Sequence, residues 1–442
     1  MLRRLRNSPE LRFAGPVILE NTATVFIGLV FSTIIGGISE SALAAVGLVN
    51  SLINVLVSLA AFLSIGSAAL IARLVGEGDP AATSRAVEQS VWMAAVTGIA
   101  VTVVCELLST PILHLLLPGA DAQVMDEGLR YFRALCLSFP FLLIMSIVGG
   151  ALRAAGESTA PMVGAVLMNL VQIAAAYWMI SVMGWSVTGA GMSYVVCRAF
   201  GMAVVLTACL RSHRHFSVTL RGMLRPSREM GKRIARLGLP STLESASVQV
   251  CYLLANSMAM GLGTLEAGVY QVSNTLSAFS TLPQGIFSAI GVTFIGQALG
   301  ENRPDKAVAC QKKLLRIALA VSLTMGLTLS LLGPELVKLY TRDEYVRAQS
   351  AKVLWVWLLF DLPGVAINVN DPILRTGGDT KMVMAYTAAL VWGVRIPLTW
   401  LFCYVWTWGA AGVVLANVIS VIIRAIVGQM RIRGGKWLSM KV

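Results

Sequence analysis

Twelve apolar runs, most of them about 20 residues or longer, recur along this chain of 442 residues and leave it very few folds. They fall at 14–38, 45–71, 88–108, 130–151, 160–183, 188–210, 238–260, 268–296, 314–334, 350–374, 382–405 and 409–430. A run of that length crosses a hydrocarbon core of about 30 Å as a helix, whereas a membrane strand needs only about 10 residues in strict alternation, which these runs lack. Lipid offers no partner for a backbone amide, so each segment must satisfy its own, and the runs predict an all-α polytopic membrane protein. Composition agrees: 56% of residues are apolar and 13% charged, too little polar surface to coat a globule in water.

A net charge of +13 is compatible with nucleic-acid binding, but the charge is not spread as such a surface would be. Most of the 35 Lys/Arg residues lie on one side: Arg3, Arg4, Arg6 and Arg12, the loops after even-numbered spans, and eight in 211–236. The other side holds Arg130, Arg133, Lys338, Arg342 and Arg347. The positive-inside rule therefore places both termini in the cytoplasm and leaves no charge to assign to a polyanion. The opening MLRRLRNSPELR resembles a signal n-region, but the run behind it is too long to be a cleaved segment and reads as a retained anchor. Seven cysteines without CxxC spacing read as reduced packing residues. His213 and His215 sit among arginines that would repel a metal ion.

The chain repeats itself. ALRAAGEST at 151–159 returns as ILRTGGDTK at 373–381, which sets Arg153 on Arg375, Gly156 on Gly378 and Glu157 on Asp379. GPVILE at 15–20 returns as GLPSTLE at 238–244, setting Glu20 on Glu244; LVGEGDP at 74–80 returns as ALGENRP at 298–304, and TGAGM at 188–192 as AAGVV at 410–414. Four matches in order at a nearly constant offset mean a duplication of six spans each. An even number of spans makes the repeats parallel. The halves are 1–210 and 237–442, joined by a cytoplasmic basic linker at 211–236 that is expected to lie as an amphipathic helix on anionic lipid. Arg153 and Arg375 end even-numbered spans, where a guanidinium reaches headgroups or helix carbonyls; the Gly after each permits a turn, and Glu157/Asp379 with Ser158/Thr380 are expected to cap the next helix.

A charge at bilayer depth must find a partner or serve a function. The spans contain Glu20, Glu106, Glu244, Asp361 and Asp371, with Arg198 and Arg395. Glu106 belongs to an outer end and Asp371 to an inner one. Glu20 and Glu244 are repeat mates that could bind a cation, form a gate, or be buried spacers. Asp361 precedes Pro363 near the middle of span ten, where proline frees a carbonyl; it reads equally as a coupling carboxylate or as an ion pair with Arg395 in span eleven. Uncharged polar residues collect at Asn50, Asn54, Asn169, Gln172, Gln249, Gln271, Asn274, Asn368 and Asn370. The candidate ion-coupling and substrate set is Asp361, Glu244, Glu20, Gln271, Asn274, Asn368, Asn370 and Asn169.

LRAAGEST with Pro161, Met162 and Asn169, LRTGGDTK with Met384 and RIPL at 395–398, ALAAVGLVNSLINVL at 42–56, and the stretch 269–302 together resemble the signatures of multidrug and toxic compound extrusion (MATE) transporters. The resemblance runs from about Pro16 to Gly412. It implies two six-helix lobes around a central cavity, and exchange of a cytoplasmic organic cation for Na⁺ or H⁺, with a possible Na⁺ site as the metal and no cofactor. Many members carry an aspartate in the first span, where this chain has Phe31.

No GKS or GKT loop, HExxH or catalytic triad is present, and no soluble stretch is long enough for an ATPase domain, so an ion gradient rather than enzymatic chemistry is expected to drive transport. The expected partners are membrane lipids and a small organic cation, with no nucleic acid, and the protein is expected to work as a monomer in the cell membrane. The competing functions are a lipid-linked oligosaccharide flippase of the same superfamily, which would want a more basic cavity, and a non-coupled channel or scramblase.

Overall fold

The computed structural model describes residues 9–36, 40–116, 122–212, 216–338, 340–341 and 343–438; Arg3, Arg4, Arg6, His213, His215 and Arg342 lie outside the described residues. All regular structure among the described residues is helical. The chain divides into two compact units, Met1–Gly238 and Leu239–Val442.

The first unit holds α1 (Pro9–Gly36), α2 (Glu40–Glu77), α3 (Pro80–Leu107), the short α4 (Ser109–Leu116), α5 (Ala122–Cys136), α6 (Phe139–Ala154), α7 (Thr159–Tyr177, prolonged by a π turn at Trp178–Val182), α8 (Ser186–Arg211) and α9 (Leu220–Met223). The unit boundary falls inside α10 (Arg228–Met260). In the second unit α11 (Thr264–Ile290), a π turn and α12 (Gly296–Gly300) make one pass, followed by α13 (Pro304–Lys338) and α14 (Glu344–Thr376). The next pass is α15 (Thr380–Leu390), a π turn at Val391–Arg395, α16 (Ile396–Trp400) and a second π turn, and α17 (Gly409–Arg433) closes the unit. With α5 and α6 counted as one pass, each half makes six, which is the twelve-span architecture that the apolar runs predict. Among the described residues eight helices are long and apolar enough to cross a membrane, or nine with the bent pair.

The duplication is visible in backbone and packing alike. Positive φ recurs at Gly78 and Asn302, at Gly156 and Gly378, and at Ser186 and Thr407, each pair separated by the sequence offset of the repeat. In the first unit the fourth pass, α6, packs on α2, α3 and α8; in the second its counterpart α14 packs on α11, α13 and α17. The fourth pass of each repeat is therefore the element that its neighbours share.

Three local expectations change. The run at 130–151 is not one helix: α5 and α6 meet at a bend of 47°. Pro140 enters the first turn of α6 without an N–H, and Ser138 turns its N–H and Oγ back to Leu135 O at 3.0 and 2.6 Å. Several helices also start six to ten residues before their apolar runs, because caps rather than the hydrocarbon edge set helix ends; Asp79 Oδ1 accepts from Ala82 N and Asp343 Oδ1 from Val346 N. Among its described residues, finally, the linker forms no separate long helix, α9 being a single turn. Its first part is a strap held to α3: Ser217 N donates to Ser84 Oγ, Thr219 N to Glu88 Oε1 and Ser227 N to Gln89 Oε1, while Phe216, Val218 and Met223 are buried. Its last part is the start of α10.

Candidate functional site

The repeated arginines do something the sequence did not disclose. Arg153 Nη1 reaches both oxygens of Glu20 at 3.2 Å, and Arg375 Nη2 donates to Glu244 Oε2 at 2.7 Å. The expectation that they serve headgroups or cap carbonyls is thus replaced by an ion pair between the first and fourth passes of each repeat. The expected side-chain caps are also absent at Ser158 and Asp379. Instead the Ser212 hydroxyl donates to Glu157, and Arg431 Nε donates to Asp379 at 2.5 Å. The glycines do make the turns, with φ of +90° at Gly156 and +93° at Gly378.

The two pairs differ in depth and company. Glu20 and Arg153 have side chains 22% and 25% exposed. Glu244 is 3% exposed and joins a network: Arg424 Nη2 donates to Glu244 Oε1 at 2.6 Å and to Asp371 Oδ2 at 2.5 Å, Arg424 Nε adds a 3.1 Å bond to Asp371, and the hydroxyls of Thr387 and Tyr386 donate to Glu244 and Asp371. Two arginines and two carboxylates make it neutral. Arg424 escaped the sequence reading because α17 is the most apolar of the eight helices, with mean hydropathy 2.3, and a window average hides one arginine.

Asp361 is different. It is 2% exposed, accepts one hydrogen bond from Ser280 Oγ at 2.9 Å, and pairs with no basic side chain among the described residues. A Cβ on Gly326 would come within 2.5 Å of Asp361 Oδ2, so α13 packs directly on the carboxylate. One turn away along their own helices stand Ser322 Oγ, Trp357 Nε1 and Gln284 Nε2, all buried and without hydrogen-bond partners. Buried polar atoms rarely go unpaired, so each of these groups is left to bond something polar. Ten residues separate Asp361 from Asp371, about 15 Å along α14, so Asp361 and the Glu244 network are separate.

The ion pair of Asp361 with Arg395 does not form. Arg395 lies at the end of a π turn that precedes Pro397, whose missing N–H breaks the regular ladder. Its guanidinium sits over the Tyr252 ring, 4.1 Å from the centroid, and Nε is buried without an acceptor. Of the amides, Asn368 donates to Gln284 Oε1 at 2.8 Å, one turn from Asp361's partner Ser280. Asn370 bridges Gln311 and Gln429 at 2.9 Å each, a link that sequence alone did not reveal. Asn169 donates to Thr24 Oγ1 at 3.3 Å in the first unit. Gln271 is exposed and Asn274 half-buried on α11; neither side chain bonds another candidate among the described residues.

In the first unit Phe31 is buried edge-to-face against Tyr194, 5.1 Å between centroids. Tyr131 OH donates to Asn50 at 3.0 Å, and Arg198 lies 4.7 Å over the Tyr194 ring and donates to Ser138 Oγ at 2.6 Å. A separate cavity of about 410 Å³ lies at the far end of α14 from Arg375, lined by Glu266, Tyr345 and Trp408 among others. Glu266 there accepts from Tyr345 OH at 2.5 Å and Ala410 N at 2.6 Å, which makes it a cap for α17 rather than part of the Asp361 site.

The MatE family profile matches residues 16–178 and 240–401, one match in each repeat. Over 438 residues the chain is 23% identical to a probable multidrug resistance protein NorM of Thermotoga maritima, covering 97% of this chain and 94% of that one. It is 22% identical over 433 residues to the uncharacterized transporter YisQ of Bacillus subtilis, with 96% and 93% covered. Two solved structures superpose with a TM-score of 0.89 at 22% identity, each over 99% of this chain and 98% of the other: a multidrug resistance MATE family transporter of the MOP superfamily in an outward-facing conformation, and a MOP superfamily transporter from Pyrococcus furiosus described for the reverse polarity of its binding pocket. At that identity the superposition speaks to fold, while the paired profile match covers most of the sequence: the chain belongs to the MatE family of multidrug efflux transporters.

Proposed function

We propose that this protein is an antiporter of the cell membrane, acting as a monomer with both termini in the cytoplasm, that exports amphipathic organic cations in exchange for Na⁺ or H⁺. Asp361 carries the reading: it is the carboxylate in the interior of a span that has no basic partner among the described residues. A buried carboxylate without a cation sheds its charge by taking a proton or a positive ligand, and a site that takes either supplies the competition exchange needs. Ser280, Gln284 and Asn368 would surround the bound ion, and Gln271 and Asn274 on the same helix as Ser280 would meet the substrate. Asn370 and Asn169 tie helices together within their units, and Glu20 and Glu244, already held by arginines, are fixtures rather than ion ligands. The name of one relative, a probable multidrug resistance protein, supports drug export.

The experiment is efflux of a fluorescent organic cation from proteoliposomes under a proton gradient and a sodium gradient imposed separately. One gradient should drive efflux, and Asp361→Asn should abolish the driven part while leaving substrate binding measurable. Efflux that ignores both gradients in the native protein would refute antiport, and driven efflux that survives Asp361→Asn would refute the assigned residue.

A further inference from the structure

The seven cysteines fall into two kinds. All carry free thiols in the structure, and all but Cys310 are buried. Three donate to main-chain carbonyls, Cys197 to Tyr194 O, Cys251 to Val391 O and Cys403 to Gly409 O, as packed thiols do. Cys105 and Cys136 instead meet each other, side chain to side chain, across two helices. They are 3% and 0% exposed.

The corner that brings them together is built by other bonds. Cys105 lies two residues before the end of α3, and Cys136 is the last residue of α5, at the 47° bend into α6. Thr102 Oγ1, one turn before Cys105, donates to Cys136 O at 2.8 Å, and Arg133 Nε, one turn before Cys136, donates to Ser109 Oγ at 3.0 Å. The thiols therefore sit inside a fixed contact rather than at a chance approach. Packing alone does not require sulfur there. At the repeat offset of 222 the second unit has Leu327 and Leu358, and a Cβ on the neighbouring Gly326 would come within 2.7 Å of Leu358 Cδ1, so apolar side chains close the corresponding corner between α13 and α14.

From this we infer that Cys105 and Cys136 are a modification site: they close into a disulfide that staples α3 to the bend of the fourth pass, the structure being that of the reduced pair. The inference rests on the placement of both termini in the cytoplasm, because α3 then ends on the outer side, where disulfides persist; it does not depend on what is transported. The oxidant is a disulfide of that compartment, carried by a thiol–disulfide oxidoreductase or by a small thiol. One cysteine, as thiolate, attacks a sulfur of the oxidant and expels the other sulfur; the second cysteine attacks the mixed disulfide, forms the Cys105–Cys136 bond and expels the remaining sulfur. The two cysteine protons end on the expelled sulfurs, and two electrons pass from the pair to the oxidant. The exchange belongs to folding, before α5 and α6 close over the pair, and burial afterwards shields the bond from reduction.

The test counts thiols. Full-length protein is purified without reductant, unfolded in dodecyl sulfate with an alkylating reagent and weighed by mass spectrometry. Five of the seven cysteines should be alkylated, and a digest should contain Cys105 joined to Cys136. Cys105→Ser removes one cysteine yet should raise the alkylated number to six, because Cys136 is released, whereas Cys209→Ser should lower it to four. Seven alkylated cysteines in the native protein overturn the inference, as does a bridge to any other cysteine. Treating such a fully reduced protein with diamide, a small azo oxidant, separates the causes: closure of the pair faults the placement of the outer side, and no closure faults the pair itself. The staple has its own readout. Reduction by a phosphine should lower the melting temperature of the native protein by about 5 °C and leave that of Cys105→Ser unmoved. A bridged native protein whose melting temperature ignores the phosphine would overturn the stapling role.

Discussion

Arg424→Met removes the cation that Glu244 and Asp371 share while preserving much of the side-chain volume. Afterwards Glu244 still has Arg375 and Thr387, but Asp371 is left with the Tyr386 hydroxyl alone, at 3% side-chain exposure. Breaking a buried pair by deleting one partner costs about 3–5 kcal/mol, because the surviving charge stays desolvated. For a unit of this size each kcal/mol moves a melting temperature by about 2–4 °C, so Tm should fall by about 10 °C. Arg153→Met is the internal control: its pair is longer and more exposed, so the loss is about 0.2–1 kcal/mol, or about 2 °C. Fluorescence-detected size exclusion after heating reads both variants in the same detergent. Adding Asp371→Asn to Arg424→Met should restore most of the loss, since neither change then strands a charge. A fall for Arg424→Met no larger than for Arg153→Met, or a double variant no better than the single one, would refute the reading that Arg424 neutralises two buried carboxylates.

Three further outcomes follow from other parts of the chain. Arg225→Cys, at an exposed position of the strap in a protein cleared of native cysteines, should resist an impermeant thiol reagent applied to intact cells; efficient labelling from outside would overturn the cytoplasmic placement of the linker. Asp361→Asn combined with Arg395→Gln should not recover gradient-driven efflux, because Asp361 meets Ser280 and Arg395 meets Tyr252 rather than each other; recovery in the double variant would show a pair that forms elsewhere in the cycle. Pro283→Ala and Pro363→Ala fall within continuous helices, α11 and α14, and should each slow efflux while leaving substrate binding intact; unchanged rates in both would leave those prolines without a part in the cycle.

Hydropathy and the internal echo carried the fold. A span must be apolar for the length of the hydrocarbon core, and a duplicated sequence must place its turns in duplicate, so six passes per repeat and the paired turns at Gly156 and Gly378 were readable before any coordinates. Residue type also flagged Asp361 and Glu244, because any carboxylate at depth stands out. What residue type could not supply was the partner. Glu244 and Asp361 look alike in sequence, yet one is closed within a neutral network and the other has a single hydroxyl, and the difference lies in Arg424, 180 residues from Glu244 in the chain. Arg198 and Arg395 likewise count as two ordinary positive charges until packing shows that each lies over a tyrosine and, among the described residues, forms no ion pair. Apolar length is a local property, summed along one helix against a uniform solvent. The fate of a buried charge depends on which groups arrive from other helices within about 3 Å, and only the packed chain decides that.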